Sequence, residues 1–265
     1  MENEIYVKIK KAVKDILDID LEYYKDQQMR RRLDSWLVRC GAPSWDEYFK
    51  RIRTDKEEFL RFRNYLTINV SAFFRDMERW QSLRETVLPR LFKETLISRP
   101  GGGLRIWSAG CSIGDEPYTL AMILDEMAPA RKHYILATDL DRGALAKAIA
   151  RGPYTTEDIQ NVSTAQRNAN FAPGGPPFYI NEKTSKRIEF REHNMITGAY
   201  EKDFDLIVCR NVVIYFTSET KDLLYKKFHG SLREGGVLFV GATEIIPRPQ
   251  DIGFRTQGIS FYIKT

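Results

Sequence analysis

The spacing of hydrophobic residues changes near residue 100 of this 265-residue chain. Before that point, apolar residues recur every three or four positions, which is typical of helices that bury one face. One such stripe ends at Gly41, a residue type that often terminates helices. It consists of Met29, Leu33, Trp36, Leu37 and Cys40. The spacing therefore predicts a small all-helical domain at residues 1–66.

Capping motifs predict two further helices in this domain. Ser44 with Glu47, and Thr54 with Glu57, each have the spacing of a capping box. In that motif the first side chain bonds the backbone N–H three residues later, and the later side chain bonds back. We expect helices to start after both motifs. Residues 67–100 are predicted to form a linker and a connecting helix.

Short apolar runs alternate with helical patterns beyond the Pro-Gly-Gly-Gly break at residues 100–103. This alternation is typical of an α/β domain with a mostly parallel sheet, here predicted at residues 101–265. Strands are predicted at 104–108, 134–138, 204–209, 236–241 and 260–264. Helices are predicted near 117–127, 142–150 and 218–232. Residues 151–194, which contain a Gly-Gly-Pro-Pro turn, are predicted to be a small β insertion.

The first predicted strand leads into a glycine-containing loop, Ala109-Gly110-Cys111-Ser112-Ile113-Gly114. The loop has neither the G-x-G-x-x-G spacing of a dinucleotide site nor the lysine of a P-loop. Asp115 and Glu116 follow it at the start of a predicted helix, where their charges would repel a phosphate. The segment therefore favours a cationic ligand, such as the sulfonium of S-adenosylmethionine.

A carboxylate that could hold a ribose follows the second predicted strand. Asp139 lies 25 residues beyond Gly114, close to the roughly 20-residue spacing of dinucleotide-binding folds. Asp141 is the alternative. The three cysteines are far apart and form no C-x-x-C pair, so neither a disulfide framework nor a metal site is expected.

Three segments resemble signature motifs of the CheR-type chemotaxis-receptor protein-glutamate methyltransferases. They are residues 67–76 (TINVSAFFRD), residues 109–118 (AGCSIGDEPY) and residues 204–216 (FDLIVCRNVVIYF). The resemblance covers essentially the whole chain and looks closest to the Gram-positive branch. It implies a Rossmann-like class I methyltransferase domain behind a helical domain. It also implies methyl transfer from S-adenosylmethionine to receptor glutamates, with S-adenosylhomocysteine as the product.

The resemblance also implies roles for individual residues. Asn194 and Met195 would flank the adenine, and Asp139 would hold the ribose. The implied cofactor-binding residues are Asn69, Ser71, Arg75, Ala109, Gly110, Asp115, Glu116, Asp139, Asn194, Met195, Arg210 and Asn211. The candidate catalytic residues are Arg75, Arg210 and Tyr215. Either arginine could orient the substrate carboxylate, and Tyr215 could shape the channel.

The formal charge of +5 is concentrated in the first part of the chain. Residues 1–100 carry 21 Lys and Arg against 17 Asp and Glu, whereas the remainder carries 20 against 19. Four arginines border the apolar stripe of the helix near residues 29–40, and they suit an acidic helical partner. They are Arg30, Arg31, Arg32 and Arg39. The resemblance implies that this partner is the cytoplasmic helical bundle of methyl-accepting chemotaxis receptors; a solvated helix face is the alternative.

Two other functions remain open at this point: an RNA methyltransferase and a non-catalytic scaffold that senses S-adenosylmethionine. The sequence lacks an N-P-P-Y-like motif, which disfavours the first. No apolar run approaches the roughly 20 residues that span a bilayer. We therefore expect a cytoplasmic protein that does not insert into a membrane. Nucleic-acid binding is not expected, because the positive excess is modest, and we expect a monomer. Binding of a receptor C-terminal peptide by residues 151–194 is not expected in the Gram-positive branch.

Overall fold

Residues 1–67, 71–99 and 102–265 are described by a computed structural model, and they divide into two units. The first unit contains the N-terminal helices together with Tyr215–Asp222. The second contains the described residues of 71–214 and Leu223–Thr265. No helix in these ranges has the length and hydropathy needed to cross a membrane.

Four helices make up most of the first unit, and their buried stripes agree with the predicted helical domain. They are α1 Asn3–Leu17, α2 Asp26–Cys40, α3 Trp45–Thr54 and α4 Lys56–Leu66. Gly41 ends α2 in the left-handed conformation, with φ of 65°. Helix α1 is absent from the sequence-based prediction, although its buried residues follow helical spacing. Between the helices, the rings of Trp36, Tyr48 and Phe62 pack together in the core.

The two predicted capping boxes have different outcomes. At α3 the Ser44 hydroxyl accepts the N–H of Glu47, as predicted. At α4 the prediction is wrong by one residue, because Thr54 is the last residue of α3. The cap is Asp55, whose carboxylate accepts two backbone N–H groups in the first turn. Asp and Thr both cap helices well, so the local spacing did not distinguish them.

Residues 215–222 complete the first unit. The backbone N–H of Lys25 donates to the carbonyl of Tyr215 at 2.9 Å, and the N–H of Thr217 donates to the carbonyl of Tyr23 at 3.0 Å. A segment that follows an α/β strand in sequence is therefore part of the helical unit.

A seven-stranded sheet forms the centre of the second unit. Its strands are β1 Gly102–Ala109, β2 Lys132–Asp139, β3 Ile188–Glu192, β4 Phe204–Cys209, β5 Leu232–Val240, β6 Phe254–Thr256 and β7 Phe261–Lys264. Their spatial order is β3-β2-β1-β4-β5-β7-β6. Strands β1 to β5 are parallel, whereas β7 is antiparallel to both β5 and β6. The predicted mostly parallel sheet is confirmed.

Helices occur at each of the predicted positions beyond residue 67. They are α5 Met77–Ser82 and α6 Leu88–Ser98 in the connecting segment, then α7 Asp115–Met127, α8 Arg142–Ile149 and α11 Ser218–Ser231. Two further helices, α9 Thr164–Asn170 and α10 Glu182–Ser185, were not predicted. A π-helical turn at Leu83–Val87 connects α5 to α6. Strand β4 is buried along its whole length, so the core lies on both faces of the sheet.

Residues 151–194 differ from the predicted small β insertion. They contain α9 and α10, and the strand pairing among them consists of two isolated bridges, Tyr154 with Phe178 and Phe171 with Ile180. The end of the segment, β3, pairs with β2 as the edge of the central sheet. Because β3 is short, charged and partly exposed, it lacks the apolar run by which the other strands were predicted.

The strand order changes direction between β1 and β4. From β1 the sheet continues to β2 and β3, and from β4 it continues to β5. In open α/β sheets, ligands bind in the crevice outside the carboxyl ends of the strands at this switch point. The loops that follow β1, β2 and β4 therefore mark the candidate site.

Candidate functional site

The loop after β1 depends on two glycines. Gly110 and Gly114 have φ of 83° and 95°, a region that other residues rarely adopt. A Cβ on Gly110 would lie 2.7 Å from a methyl group of Val212. The N–H groups of Gly110 and Cys111 both donate to the carbonyl of Thr138, at 2.8 and 2.9 Å. The loop is thereby fixed against the end of β2.

Asp115 is the first residue of α7, and its side chain is fully buried. By distance and angle, neither carboxylate oxygen accepts a hydrogen bond from the described residues, although the Ser71 hydroxyl lies close enough to stabilise the ionised form. Burial raises the pKa of Asp115 to about 7, while the nearby Ser71 hydroxyl and the charge of Lys147 act in the opposite direction. Because an isolated buried carboxylate is unfavourable, this position favours a positively charged ligand.

Glu116 lies beside Asp115 but has more neighbours. Its carboxylate accepts the Ser108 hydroxyl at 2.8 Å and lies 3.9 Å from the guanidinium of Arg210. Burial raises the pKa of Glu116 to about 7, and the charge of Arg210 opposes that shift. Both of the adjacent acids that begin α7 therefore hold a proton more readily than an exposed carboxyl group does.

The two acids after β2 have distinct partners. The Asp139 carboxylate accepts the N–H of Ser112 at 2.7 Å and that of Asp141 at 2.9 Å. Burial raises the pKa of Asp139, and these backbone bonds oppose the shift. Asp141 caps α8 by accepting the N–H groups of Gly143 and Ala144. Since Asp141 is engaged as a helix cap, Asp139 is the better placed of the two ribose candidates.

Arg210 follows β4 directly and is buried between two aromatic rings. Its guanidinium lies 4.9 Å from the ring centres of both Trp80 and Phe239. It donates to the backbone carbonyl of Arg75 at 2.7 Å and to the carboxylate of Asp76 at 2.9 Å. Only 3% of its side chain is exposed. These contacts make Arg210 a support for the backbone at Arg75.

Arg75 occupies an unusual turn. Its neighbours Phe74 and Asp76 have φ of 53° and 57°, which is uncommon for residues other than glycine. The carbonyl of Arg75 accepts the indole N–H of Trp80 at 2.9 Å in addition to the bond from Arg210. Two buried donors therefore fix the peptide that follows the candidate catalytic arginine.

The other predicted cofactor residues are only partly placed. Asn69 lies outside the described residues, whereas Ser71 is close enough to Asp115 to affect its pKa. Asn194 accepts the N–H of Ile196 at 2.9 Å and so stabilises its own turn. The methyl group of Met195 lies 3.6 Å from the position that a Cβ on Gly110 would occupy. This turn therefore packs against the glycine loop. Ala109 is the buried last residue of β1.

Lys227 supports the Asn194–Met195 turn and was not among the predicted residues. Its ammonium donates to the carbonyls of Met195, Ile196 and Gly198 at 3.2, 2.8 and 3.0 Å. Its nitrogen also lies 4.4 Å from the ring centre of Tyr200. Because Lys227 is on α11, about 30 residues from the turn, no local sequence spacing indicates this contact.

Asn211 and Glu244 connect the loops after β4 and β5. Asn211 has φ of 59°, and its N–H donates to the Glu244 carboxylate at 2.8 Å. Burial raises the pKa of Glu244, and backbone bonds from Asn211 and other loop residues oppose the shift. Sequence reasoning missed Glu244, although an acid four residues beyond a buried strand offered a signal.

Tyr215, the third candidate catalytic residue, ends a short turn at Val213–Tyr215. Its carbonyl accepts the N–H of Lys25, and it belongs to the first unit. Its proposed role in shaping the channel therefore stays a prediction.

The four arginines predicted to bind a receptor fall into two pairs on α2. Arg30 donates to an amide oxygen of α1 at 2.8 Å, and Arg32 donates to the carbonyl of Tyr65. Arg31 and Arg39 are exposed, and neither has an ion-pair partner within the described ranges. Only the second pair is fully available to a partner.

The carboxyl end of the sheet thus combines a glycine loop with several buried or half-buried acids. They are Asp115, Glu116, Asp139 and Glu244. This arrangement fits a ligand that carries both a positive charge and a ribose, as S-adenosylmethionine does. In the part of the chain that the structure describes, no group of three or more His, Cys, Asp or Glu side chains is placed to hold a metal.

Two family models match the chain. The CheR methyltransferase all-alpha domain matches residues 4–67, and the CheR methyltransferase SAM binding domain matches residues 69–262.

Relatives of similar length also match. A chemotaxis protein methyltransferase of Listeria monocytogenes is 44% identical over 260 residues, covering 98% of this chain and 97% of that protein. The Listeria innocua protein of the same name is 43% identical with the same coverage. Chemotaxis protein methyltransferase 1 of Pseudomonas aeruginosa is 33% identical over 84% of this chain and 83% of its own length.

Proposed function

The chain belongs to the CheR methyltransferase family, and we propose that it methylates glutamate side chains of methyl-accepting chemotaxis receptors. As a family member it is an S-adenosylmethionine-dependent methyltransferase, which confirms the predicted cofactor. The 43–44% identity to Listeria proteins agrees with the predicted Gram-positive branch. The observation that carries the proposed substrate is the nearly full-length similarity to chemotaxis protein methyltransferases, which includes both units.

The acids at the start of α7 support the proposed way in which the cofactor is held. The buried Asp115 carboxylate accepts no well-formed hydrogen bond from the described residues, so a cation beside it would replace missing solvation. Asp139 ends β2, and Asn211 lies two residues beyond β4; these two strands flank β1, which leads into this position. When bound, S-adenosylmethionine supplies the methyl group: its S–CH3 bond breaks, an O–CH3 bond forms, and S-adenosylhomocysteine remains.

The substrate carboxylate needs little chemical activation. An ordinary glutamate has a pKa near 4.3, so it is already ionised and nucleophilic at neutral pH. The contribution of the chain is then mainly to hold the reacting groups in line, an effect that reaches roughly 7–11 kcal/mol in well-oriented systems.

We assign different tasks to the two candidate arginines. Arg210 is 3% exposed and holds the Arg75 carbonyl, so it acts as a positioning residue. Arg75 is less buried, and its backbone is fixed from two sides. Arg75 is therefore the better candidate for orienting the glutamate carboxylate, since a guanidinium can hold a carboxylate by two hydrogen bonds.

The proposed receptor surface is the exposed face of α2. Arg31 and Arg39 are exposed there, and an acidic helical bundle would complement their charge. We expect the double variant Arg31→Glu, Arg39→Glu to lower receptor methylation about tenfold while leaving S-adenosylmethionine affinity unchanged. Arg30 and Arg32 are unsuitable for this test, because changing them would break contacts within the unit.

A matched control reverses two exposed lysines of the same unit, Lys8→Glu and Lys50→Glu, so that the net charge changes equally. Equal losses in both double variants would show a general charge effect and contradict the proposed surface.

The experiment that tests the function is methyl transfer to receptor cytoplasmic fragments. Protein, fragment and methyl-labelled S-adenosylmethionine are incubated, and the labelled fragment is treated with alkali. We expect the label to leave as volatile methanol, because a glutamyl methyl ester is base-labile. A fragment whose candidate glutamates are changed to glutamine is the control and should stay unlabelled.

Other outcomes would identify other functions. Label in added RNA but not in the receptor would indicate an RNA methyltransferase. Tight S-adenosylmethionine binding without transfer to any receptor fragment would indicate a sensing scaffold. Either result contradicts the proposed function.

A further inference from the structure

Glu244 is a buried acid that lies four residues beyond β5 and is 4% exposed. One carboxylate oxygen accepts the N–H of Asn211 at 2.8 Å and that of Gly241 at 2.6 Å. The other accepts the N–H of Ile214 at 3.3 Å. Within the described residues, Glu244 forms no ion pair with a lysine or arginine. Its partners are therefore backbone groups of the two loops that follow the adjacent strands β4 and β5.

The contacts around Glu244 are too close to be incidental. A Cβ on Gly241 would lie 2.6 Å from the Glu244 carboxylate and 2.9 Å from the nitrogen of Asn211. Asn211 has φ of 59°, a left-handed conformation that asparagine adopts more readily than most residues but that still needs support from its surroundings. Charge-assisted hydrogen bonds from N–H to carboxylate are stronger than neutral ones, so Glu244 can hold Asn211 in this conformation.

We infer that Glu244 is a positioning residue that fixes the Asn211 end of β4 in the conformation that binds S-adenosylmethionine. The inference rests on the proposed contact between Asn211 and the cofactor. Glu244 would act through the backbone of Asn211. It would not need to touch the ligand.

A different role for the same acid would be direct attraction of the sulfonium charge. The two roles predict different ligand selectivity, because S-adenosylhomocysteine has the same adenosine and amino-acid parts but a neutral sulfur. A positioning residue affects both ligands equally. An electrostatic partner of the sulfonium affects S-adenosylmethionine more.

The test compares Glu244→Met, which removes both carboxylate oxygens and leaves only a weakly accepting sulfur at similar volume, with Glu244→Gln, which keeps one oxygen. Both ligands are titrated calorimetrically into each folded variant. We expect Glu244→Met to weaken both ligands equally, by about tenfold, since the orphaned N–H groups no longer hold the loop. Glu244→Gln should be intermediate. Receptor methylation should show a raised KM for S-adenosylmethionine with a smaller change in kcat.

Asp205→Asn is the matched control, because Asp205 is a fully buried acid at the opposite end of β4. It should lower the Tm without changing either ligand affinity. An affinity within about twofold of wild type in Glu244→Met, or a loss for S-adenosylmethionine alone, would overturn the inference.

Gly241→Ala provides a second variant if Glu244→Met does not fold. Its added methyl group would separate Glu244 from Asn211 while leaving the carboxylate in place. The same equal loss for both ligands is expected, and unchanged affinity would overturn the inference. A wild-type protein that binds neither ligand would instead refute the proposed function.

Discussion

The two ends of β4 accommodate buried acids in opposite ways. At the amino end, the fully buried Asp205 accepts bonds from Arg99 at 2.5 and 2.7 Å and from Arg233 at 2.6 Å. At the carboxyl end, Glu244 depends on backbone N–H groups, and the Asp115 carboxylate accepts no well-formed hydrogen bond from the described residues. The amino end is thus neutralised by the chain itself. The carboxyl end has the buried Arg210, but it also has the four buried or half-buried acids Asp115, Glu116, Asp139 and Glu244. It therefore remains short of positive charge, as expected of a site that binds a cation.

The largest expected effect is a loss of stability when the Asp205 carboxylate at the amino end of β4 is removed. Asp205→Asn leaves two arginines without their buried carboxylate, and loss of one partner of such a pair typically costs about 3 kcal/mol or more. We expect urea unfolding to show this loss of stability. The affinity for S-adenosylhomocysteine should stay unchanged, and a parallel loss of affinity would show that the two ends are not independent.

Removing the Asp115 charge at the carboxyl end should have the opposite result: stability is kept and cofactor affinity is lost. Asp115→Asn removes an unpaired buried charge, so the ligand-free protein should be no less stable than wild type. The affinity for S-adenosylmethionine should fall about thirtyfold, or roughly 2 kcal/mol, because a charge partner is lost. Calorimetric titration and urea unfolding of one preparation give both values. Glu126→Gln, on the same helix, is the control and should keep its affinity.

A smaller effect is expected at Arg210, which joins β4 to the Arg75 turn. Arg210→Lys keeps the charge but loses the planar contacts with Trp80 and Phe239 and part of the hydrogen bonding to Arg75. We expect kcat for receptor methylation to fall about tenfold, with a smaller change in S-adenosylmethionine affinity. A loss confined to cofactor affinity would argue against Arg210 acting through Arg75.

A further effect concerns the pH dependence of stability. Asp115 and Glu116 have pKa values of about 7 in the folded protein, against about 4 in an unfolded chain. The folded state therefore binds more protons, and this contribution to stability is complete below about pH 4 and lost as the pH rises through about 7. From about pH 5.5 to about pH 8, the Tm of wild type should fall more than that of Asp115→Asn. Equal decreases would show that Asp115 does not titrate in this range.

The strands that lead into the candidate site could be predicted from sequence, because they lie in the middle of the sheet and are buried on both faces. The runs at β1, β2 and β4 are mostly apolar, and the glycine loop and Asp139 follow them directly. Edge strands carry no such signal: β3 is charged and half-exposed, and β6 has only three residues. The family motifs supplied the remaining cofactor residues, since their roles are not visible in local patterns.

Residues that act across long sequence distances could not be predicted. Glu244 bonds to Asn211 across 33 positions, and Lys227 bonds to the turn after Asn194 across about 30. Both are single charged residues on loops or helices, where most charges are merely solvated. Membership of Tyr215 in the helical unit likewise depends on backbone bonds that no periodicity encodes.

The central claim is that the carboxyl end of the sheet is short of positive charge and binds a cation. The most direct test is to measure how many protons the protein releases when the cofactor binds at about pH 7. Calorimetric titrations with S-adenosylmethionine in buffers of different ionisation enthalpy give the number of protons released. A cation should lower the pKa values of Asp115 and Glu116 from about 7, so the wild type should release more protons than Asp115→Asn. Asp205→Asn should release as many as wild type. Equal proton release by wild type and Asp115→Asn would contradict the account.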